Sequence, residues 1–331
     1  MKFSRPSYRA LPIEVETADN RQQIVTAYML AAFGAALFAT KAIFIKLAYE
    51  SSATLDPMTL LTMRMGLSLP VYAAITIWAL RSQKHLRMPN LSFRHYVSAG
   101  AMGLIGYYMA SILDFTGLVY ITAQLERLIL FTYPACVMIL GALFFGKKVS
   151  FAAVCSMFLA YLGLAIIFAR GSIAQGENVW LGAVLVFGAA LSYAVFQLIA
   201  GKQIKRFGSA LFTCMAMMCA GVGILTHFTV QSLVTGQFDR LQQPQEVWML
   251  GAAIAIVATL IPSFMINIAL GRIGAQAVAI VGMISPLTTI FLAITFLHEP
   301  FGVMDGIGTL VTIIGIGLFT WFSRQRKNQL N

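Results

Sequence analysis

Phe33-Gly-Ala-Ala-Leu37 and Phe187-Gly-Ala-Ala-Leu191 are the same five residues met twice, 154 positions apart. The echo has company. Ala123-Gln124, with Pro134 ten residues after the glutamine, returns as Ala275-Gln276 with Pro286 ten after, and Gly163 and Gly315 keep the 152-residue offset of the prolines. Any one match is unremarkable in an Ala-rich chain. In order and at nearly constant spacing, they indicate a duplicated unit.

Of the 331 residues, 59% are apolar and 11% charged, against about 45–50% and about 25% in a soluble globular protein. Most of this surface cannot face water, which excludes a soluble enzyme, a secreted disulfide scaffold and a disordered tail protein. Cys136, Cys155, Cys214 and Cys219 lie inside apolar runs with no metal or redox spacing, and read as small buried hydrophobes. About 20 apolar residues cross a bilayer as a helix. Ten such runs are present: 24–47, 57–80, 95–118, 121–145, 150–169, 179–200, 209–231, 247–270, 276–297 and 301–322. Short links near Tyr120 and near Arg272 predict two tight helical hairpins. The alternation of a transmembrane barrel is absent, and the first run is too long and too far in to be a cleaved signal.

With the N-terminus inside, 17 of the 23 Lys and Arg fall in inside segments and two, Arg170 and Arg240, outside; Lys41, Lys46, Arg64 and Arg127 lie within spans. That bias puts both termini in the cytoplasm, and Trp78, Trp180, Trp248 and Trp321 sit at span ends, where amphipathic rings settle. The expected organisation is a cytoplasmic tail 1–23, a five-helix repeat 24–169, an extracytoplasmic linker 170–178, a second repeat 179–322 and a cytoplasmic tail 323–331. Five is odd, so the second copy enters the membrane upside down relative to the first. The fold class expected is therefore all-α integral membrane, ten transmembrane helices as two inverted five-helix repeats in the cell (inner) membrane, an architecture of secondary transporters.

Ten spans in duplicated halves, Arg64 in the second span, and the stretch Ala123-Gln-Leu-Glu-Arg-Leu-Ile-Leu-Phe-Thr-Tyr-Pro134 resemble the EamA family of the drug/metabolite transporter superfamily over residues 24–322. The resemblance implies a central cavity built from spans 1, 3, 4, 6, 8 and 9, and outward movement of amino acids or similar metabolites. One feature departs from the family. Its halves often end the fourth span in Gly-Glu; Glu299 fits, but the first half has Gly146-Lys147.

Lys41, Arg64, Asp114, Glu126 and Arg127 fall within spans on four helices, at similar depth below the outer boundary. Their formal sum is +1. A charge at the bilayer centre costs about 2.5–3.5 kcal/mol on insertion scales, so the layer has a purpose, and two are open. It is a structural network, or it is a substrate site. The repeat partners of Lys41, Glu126 and Arg127 are Val195, Val278 and Ala279, so the fold itself does not require the charges. On the second reading Lys41 and Arg127 meet a substrate carboxylate with Glu126 as their partner, while Arg64 is a structural charge brace on span 2, which the family places away from the cavity. Glu126 or Asp114 is the candidate carrier of a coupling proton; facilitated diffusion or exchange needs none.

The second half offers Ser192, Tyr193, Gln197, Asn267, Gln276 and Ser285. Tyr193 and Gln197 share a helix face and join the substrate-binding candidates. Pro134 and Pro286 each remove a backbone donor deep in a span and predict matched helix kinks. Gly141-Ala-Leu-Phe-Phe-Gly-Lys147-Lys148 misses the P-loop Ser/Thr and its strand-to-helix turn. His298-Glu299-Pro300 lacks a second histidine, so no metal, cofactor or catalytic site is expected. The expected partners are a small metabolite, membrane lipid and a coupling proton, with a homodimer admitted and nucleic acid excluded. The main expectation is a non-ATP-driven exporter of amino acids or related carboxylates working by alternating access. The rival is a membrane-embedded sensor or enzyme without transport.

Overall fold

Where water is excluded, every backbone N–H and C=O must find its partner within the chain. The computed structural model, which describes residues 18–82, 93–146, 151–174, 178–282 and 284–330, answers with helices; among the described residues there is no strand. The tail 1–17 and the basic positions Lys84, Arg87, Lys147 and Lys148 lie outside the described residues.

The first half consists of α1 (Ala18–Ser51), α2 (Pro57–Ser82), α3 (Phe93–Gly103), a π-helical segment Leu104–Met109, α4 (Ala110–Tyr120), α5 (Ala123–Leu130), α6 (Tyr133–Phe145) and α7 (Phe151–Ala174). The second half has α8 (Val179–Phe207), α9 (Ser209–Thr235), α10 (Gln245–Ala255), a π-helical segment Ile256–Leu260, α11 (Ile261–Val281), α12 (Ile284–Phe296) and α13 (Val303–Leu330). Positions 57, 93, 104 and 151 open elements in the first half, and 209, 245, 256 and 303 open their counterparts, each 152 residues on. Seven helical stretches are long and apolar enough to cross a membrane, and shorter apolar helices cover Val154–Gly163, Ile284–Phe296 and Val303–Gly315. Large apolar side chains such as Phe158 and Val234 face outward, as they do toward lipid.

Local chemistry sets the helix ends. Asp56 Oδ1 accepts from the N–H groups of Met58 (2.9 Å) and Thr59 (3.0 Å), with Pro57 opening α2, so donors orphaned at the N-terminus are filled. Thr122 Oγ1 accepts from Leu125 N–H at 3.2 Å and starts α5. The corresponding position in the second half is Gly274, which has no side chain to cap with. There the helix differs from expectation: α11 runs through Arg272 without interruption to Val281, and the break comes after it, at Gly282.

Helix contacts repeat with their partners exchanged. A β-carbon on Gly188 would sit 3.3 Å from Leu113, and one on Gly34 would sit 3.2 Å from Met265. Gly163 is pressed against the backbone of Gly308 and Thr312, and Gly315 against that of Ala160, each within 2.5 Å of a β-carbon placed there. Between α2 and α9, Leu69 lies over Gly221 and Thr76 Oγ1 is 3.4 Å from Met218 Sδ. The main core lies where α1, α2 and α4 meet α9 and α10, with Tyr72, Phe115, Leu60, Leu61 and Met63 fully buried.

Candidate functional site

The sequence stretch 123–134 places Glu126 and Arg127 on the short helix α5, so adjacent side chains leave it about 100° apart. Glu126 turns into the protein and is 0% exposed, while Arg127, at 2%, reaches a cavity. That cavity, about 190 Å³, lies between the halves and is lined from α1, α2, α4, α5 and α6 on one side and α8, α9, α11 and α12 on the other.

The five buried charges divide unequally. Lys41 Nζ is bonded to Asp114 Oδ2 and lies 3.6 Å from Glu126 Oε1. Arg127 Nε is 3.6 Å from Glu126 Oε2, its Nη2 donates to the Phe38 carbonyl at 3.4 Å, and Phe38 lies under both cations. Two cations and two carboxylates thus form a chain of ion pairs, Asp114–Lys41–Glu126–Arg127, bordering the chamber, in which Asp114 Oδ1, both Glu126 oxygens and Arg127 Nε make no hydrogen bond. Low local dielectric makes such pairing obligatory rather than decorative. Arg64 stands apart. It is 5% exposed, its Nη2 donates to Ser111 Oγ at 3.0 Å, and its guanidinium covers the Phe115 ring at 4.9 Å. Its Nε–H has no hydrogen-bond partner.

Sequence reasoning put Arg64 on a span away from the cavity; Arg64 lines it, together with Lys41, Asp114 and Arg127. Span 2 reaches the chamber because α2 packs on α9 and lies against α4. The contact to Ser111 still braces α2 against α4. Glu126 lies behind the cavity wall. Tyr193, Gln197, Asn267 and Ser285 line the cavity. Ser192 instead donates to the Ile105 carbonyl at 2.6 Å, and the Gln276 side chain lies outside the described residues. Pro134 falls in the first turn of α6, after the interruption at Phe131–Thr132. Its own side chain lies outside the described residues. Pro286 is the third residue of α12, after the interruption at Gly282.

Several lining residues escaped sequence reasoning. Phe38, Tyr107, Phe131 and Tyr133 give the chamber an aromatic wall together with Tyr193; Tyr133 meets Tyr193 edge to face with ring centroids 5.2 Å apart. In an apolar span an aromatic residue reads as ordinary core. The available signal was spacing: Tyr107 and Thr259 are 152 residues apart, both line the cavity and both lie in the π-helical segments. An extra backbone residue in a helical turn re-aims side chains and often marks a functional site. Ser111 and Ser263 are a second lining pair at the same offset.

Known proteins share this plan. The pattern defining the EamA-like transporter family matches twice, over residues 25–169 and 180–321. The uncharacterized transporter YcbK of Bacillus subtilis is 27% identical over 277 residues, covering 83% of this chain and 86% of that protein. An uncharacterized transporter of Methanothermobacter thermautotrophicus is 26% identical over 316 residues, covering 89% and 88%. A solved crystal structure superposes with a TM-score of 0.60 over 91% of this chain and 98% of its own, at 16% identity, which speaks to fold alone.

Proposed function

The chain belongs to the EamA-like transporter family, and from that premise we propose that it is a secondary, non-ATP-driven exporter of small organic metabolites, amino acids or related carboxylates. It spans the cell (inner) membrane ten times as two inverted five-helix repeats, with both termini cytoplasmic, and alternates access to a chamber between them.

The observation that carries the reading is the chamber itself: one buried cavity, walled by both copies of a duplicated unit, holding charge and hydrogen-bonding groups within apolar helices. Intramembrane ionisable groups of this kind mark solute pathways by default. Contact geometry supports the inversion. Leu69 and Gly221 are repeat partners in contact, while Thr76, seven residues on, meets Met218, three residues back. Partner helices α2 and α9 therefore run antiparallel. The exchanged pairs Gly188–Leu113 and Gly34–Met265 place the first span of each half against the third span of the other, so one half can rock on the other. The paired interruptions before Pro134 and Pro286 supply hinges at matching places. Tyr193 and Gln197 face the solute from the second half, and the quartet of Lys41, Asp114, Glu126 and Arg127 closes one end. Proton coupling, if the cycle uses it, runs through Glu126 or Asp114.

The test is transport. Everted vesicles from cells overproducing the protein should take up labelled amino acids or monocarboxylates faster than control vesicles, and overproduction should protect growth against toxic analogues. If no solute moves and no protection appears, the reading fails. Reporter fusions at residues 24 and 179 should report opposite sides; the same side for both would remove the inversion.

A further inference from the structure

Resting on the transport reading, we infer that Arg64 and Ser111 form the anion subsite of the chamber, and that the solute it takes is an organic monoanion with an apolar or aromatic body. The argument is one of charge. Among the five ionisable groups of the layer, Lys41, Arg127, Asp114 and Glu126 neutralise one another. What remains is the single positive charge of Arg64, buried, lining the cavity, with no carboxylate within ion-pair distance among the described residues and with its Nε–H unsatisfied. An unpaired buried cation is costly, and a missing hydrogen-bond partner adds to that. A carboxylate entering the chamber relieves both, because the planar guanidinium fork matches a carboxylate's two oxygens.

The rest of the site is already oriented for that ligand. Ser111 Oγ accepts from Arg64, which leaves its own proton free to donate to the same anion. Across the cavity, the hydroxyls of Thr259 and Ser285 are buried without hydrogen-bond partners, and both residues line it. Each carboxylate of the quartet already faces a cation, so an ammonium group reaching the unpartnered Asp114 Oδ1 would have to share that carboxylate with Lys41. A zwitterion would therefore bring a positive charge with no counterpart of its own, whereas a monoanion brings the site to zero. The remaining wall is aromatic and aliphatic, which suits a ring or short apolar chain.

Phenylacetate, its neutral isostere phenylacetamide and the zwitterion phenylalanine separate these classes. In a thermal-shift titration of the purified full-length protein, phenylacetate should raise the melting temperature at concentrations where the other two do not. Arg64→Gln should weaken phenylacetate at least tenfold and erase the preference for anion over amide; Arg64→Lys should keep part of it, and Ser111→Ala should weaken binding by a smaller factor. Equal response of the wild type to acid and amide, a stronger response to phenylalanine, no response to any of the three, or an unchanged preference in Arg64→Gln would each overturn the assignment. If Arg64→Gln does not accumulate, the wild-type comparison and Ser111→Ala decide alone. Counterflow in proteoliposomes separates the subsite from the transport reading. Arg64-dependent binding without movement of phenylacetate leaves the subsite standing and removes transport. Movement of other solutes without phenylacetate binding does the reverse.

Discussion

Where the first half places Lys41, Arg64, Asp114, Glu126 and Arg127, the second half has Val195, Ala216, Ile266, Val278 and Ala279. Of the helices carrying them, α2 and α9 open 152 residues apart, as do the π-helical segments that lead into α4 and α11, and the serines at 111 and 263 both line the cavity. One scaffold therefore stands with the charges and without them. Position 216 shows how far the copies have diverged: a β-carbon added to Gly103 would lie 2.1 Å from the Ala216 carbonyl oxygen. There α3 and α9 cross in close backbone contact, at a position where the first half carries an arginine. The helical frame is shared, and the chemistry of the chamber is a property of each half alone.

The hardest way to break this contrast is to open the quartet. Lys41→Ala leaves Asp114 and Glu126 buried beside one remaining cation, and breaking one side of a buried pair costs about 3–5 kcal/mol. Loss of accumulation in the membrane, or a large fall in melting temperature, is expected. Lys41→Met combined with Asp114→Asn removes one charge of each sign and should recover much of that loss. If Lys41→Ala alone is as stable as the wild type, the charges do not form a mutually dependent set. The matching change in the second half, Val195→Ala, should cost no more than an ordinary core truncation.

The shared frame is tested at the glycines of α7 and α13. Gly163→Ala and Gly315→Ala each push a methyl group into opposing backbone, and overpacking of this kind costs about 1–3 kcal/mol. Since the two contacts are images of each other, the two losses of thermal stability should agree closely. A large effect at one and none at the other would show that this interface is not shared equally.

These residues also show what was legible beforehand. Apolar periodicity and length located α2, α8 and α9 to the residue at their starts, and the five charges were noticeable because a charge inside an apolar span stands out. The bond of Lys41 to Asp114 was not readable, since 73 residues of chain separate them. The uninterrupted α11 escaped because its glycines, at 271 and 274, look like a turn. Helix continues there since nothing in the segment offers the backbone a competing cap of the kind Thr122 gives α5.

Glu299 sharpens the contrast at the helix ends. It stands where the first half has Lys147, and its carboxylate accepts from the N–H groups of Ala123 (2.8 Å) and Gln124 (3.3 Å), so a second-half residue caps a first-half helix. Burial pushes its carboxyl above the usual 4.5, against the opposing pull of those two donors and of Lys46. A raised folded value means the folded state holds the proton more tightly. Stability from this group is then full below 4.5 and is lost as pH rises through the folded value. Glu299→Gln, which does not titrate, should flatten that part of the melting-temperature profile just above pH 4.5. An unchanged profile would show that the group's burial does not set its titration.

The smallest effect isolates one backbone angle. His298 lies at φ 50° and Gly146, 152 residues earlier, at φ 60°. Both follow the fourth apolar segment of their half, and both take the left-handed conformation that lets the chain turn away. A residue with a β-carbon meets its own carbonyl there, at a cost of about 1–2 kcal/mol, whereas glycine does not. Glycine gives part of this back by losing more freedom on folding. His298→Gly should therefore stabilise the protein by about 0.5–1 kcal/mol, and Gly146→Ala should destabilise it by a similar amount, both read as melting-temperature shifts. His298 is exposed, so its side chain has little packing to lose. A loss of stability in His298→Gly would mean that the imidazole makes a contact outweighing the strain, and the two halves would then differ at this turn in chemistry as they do around the chamber.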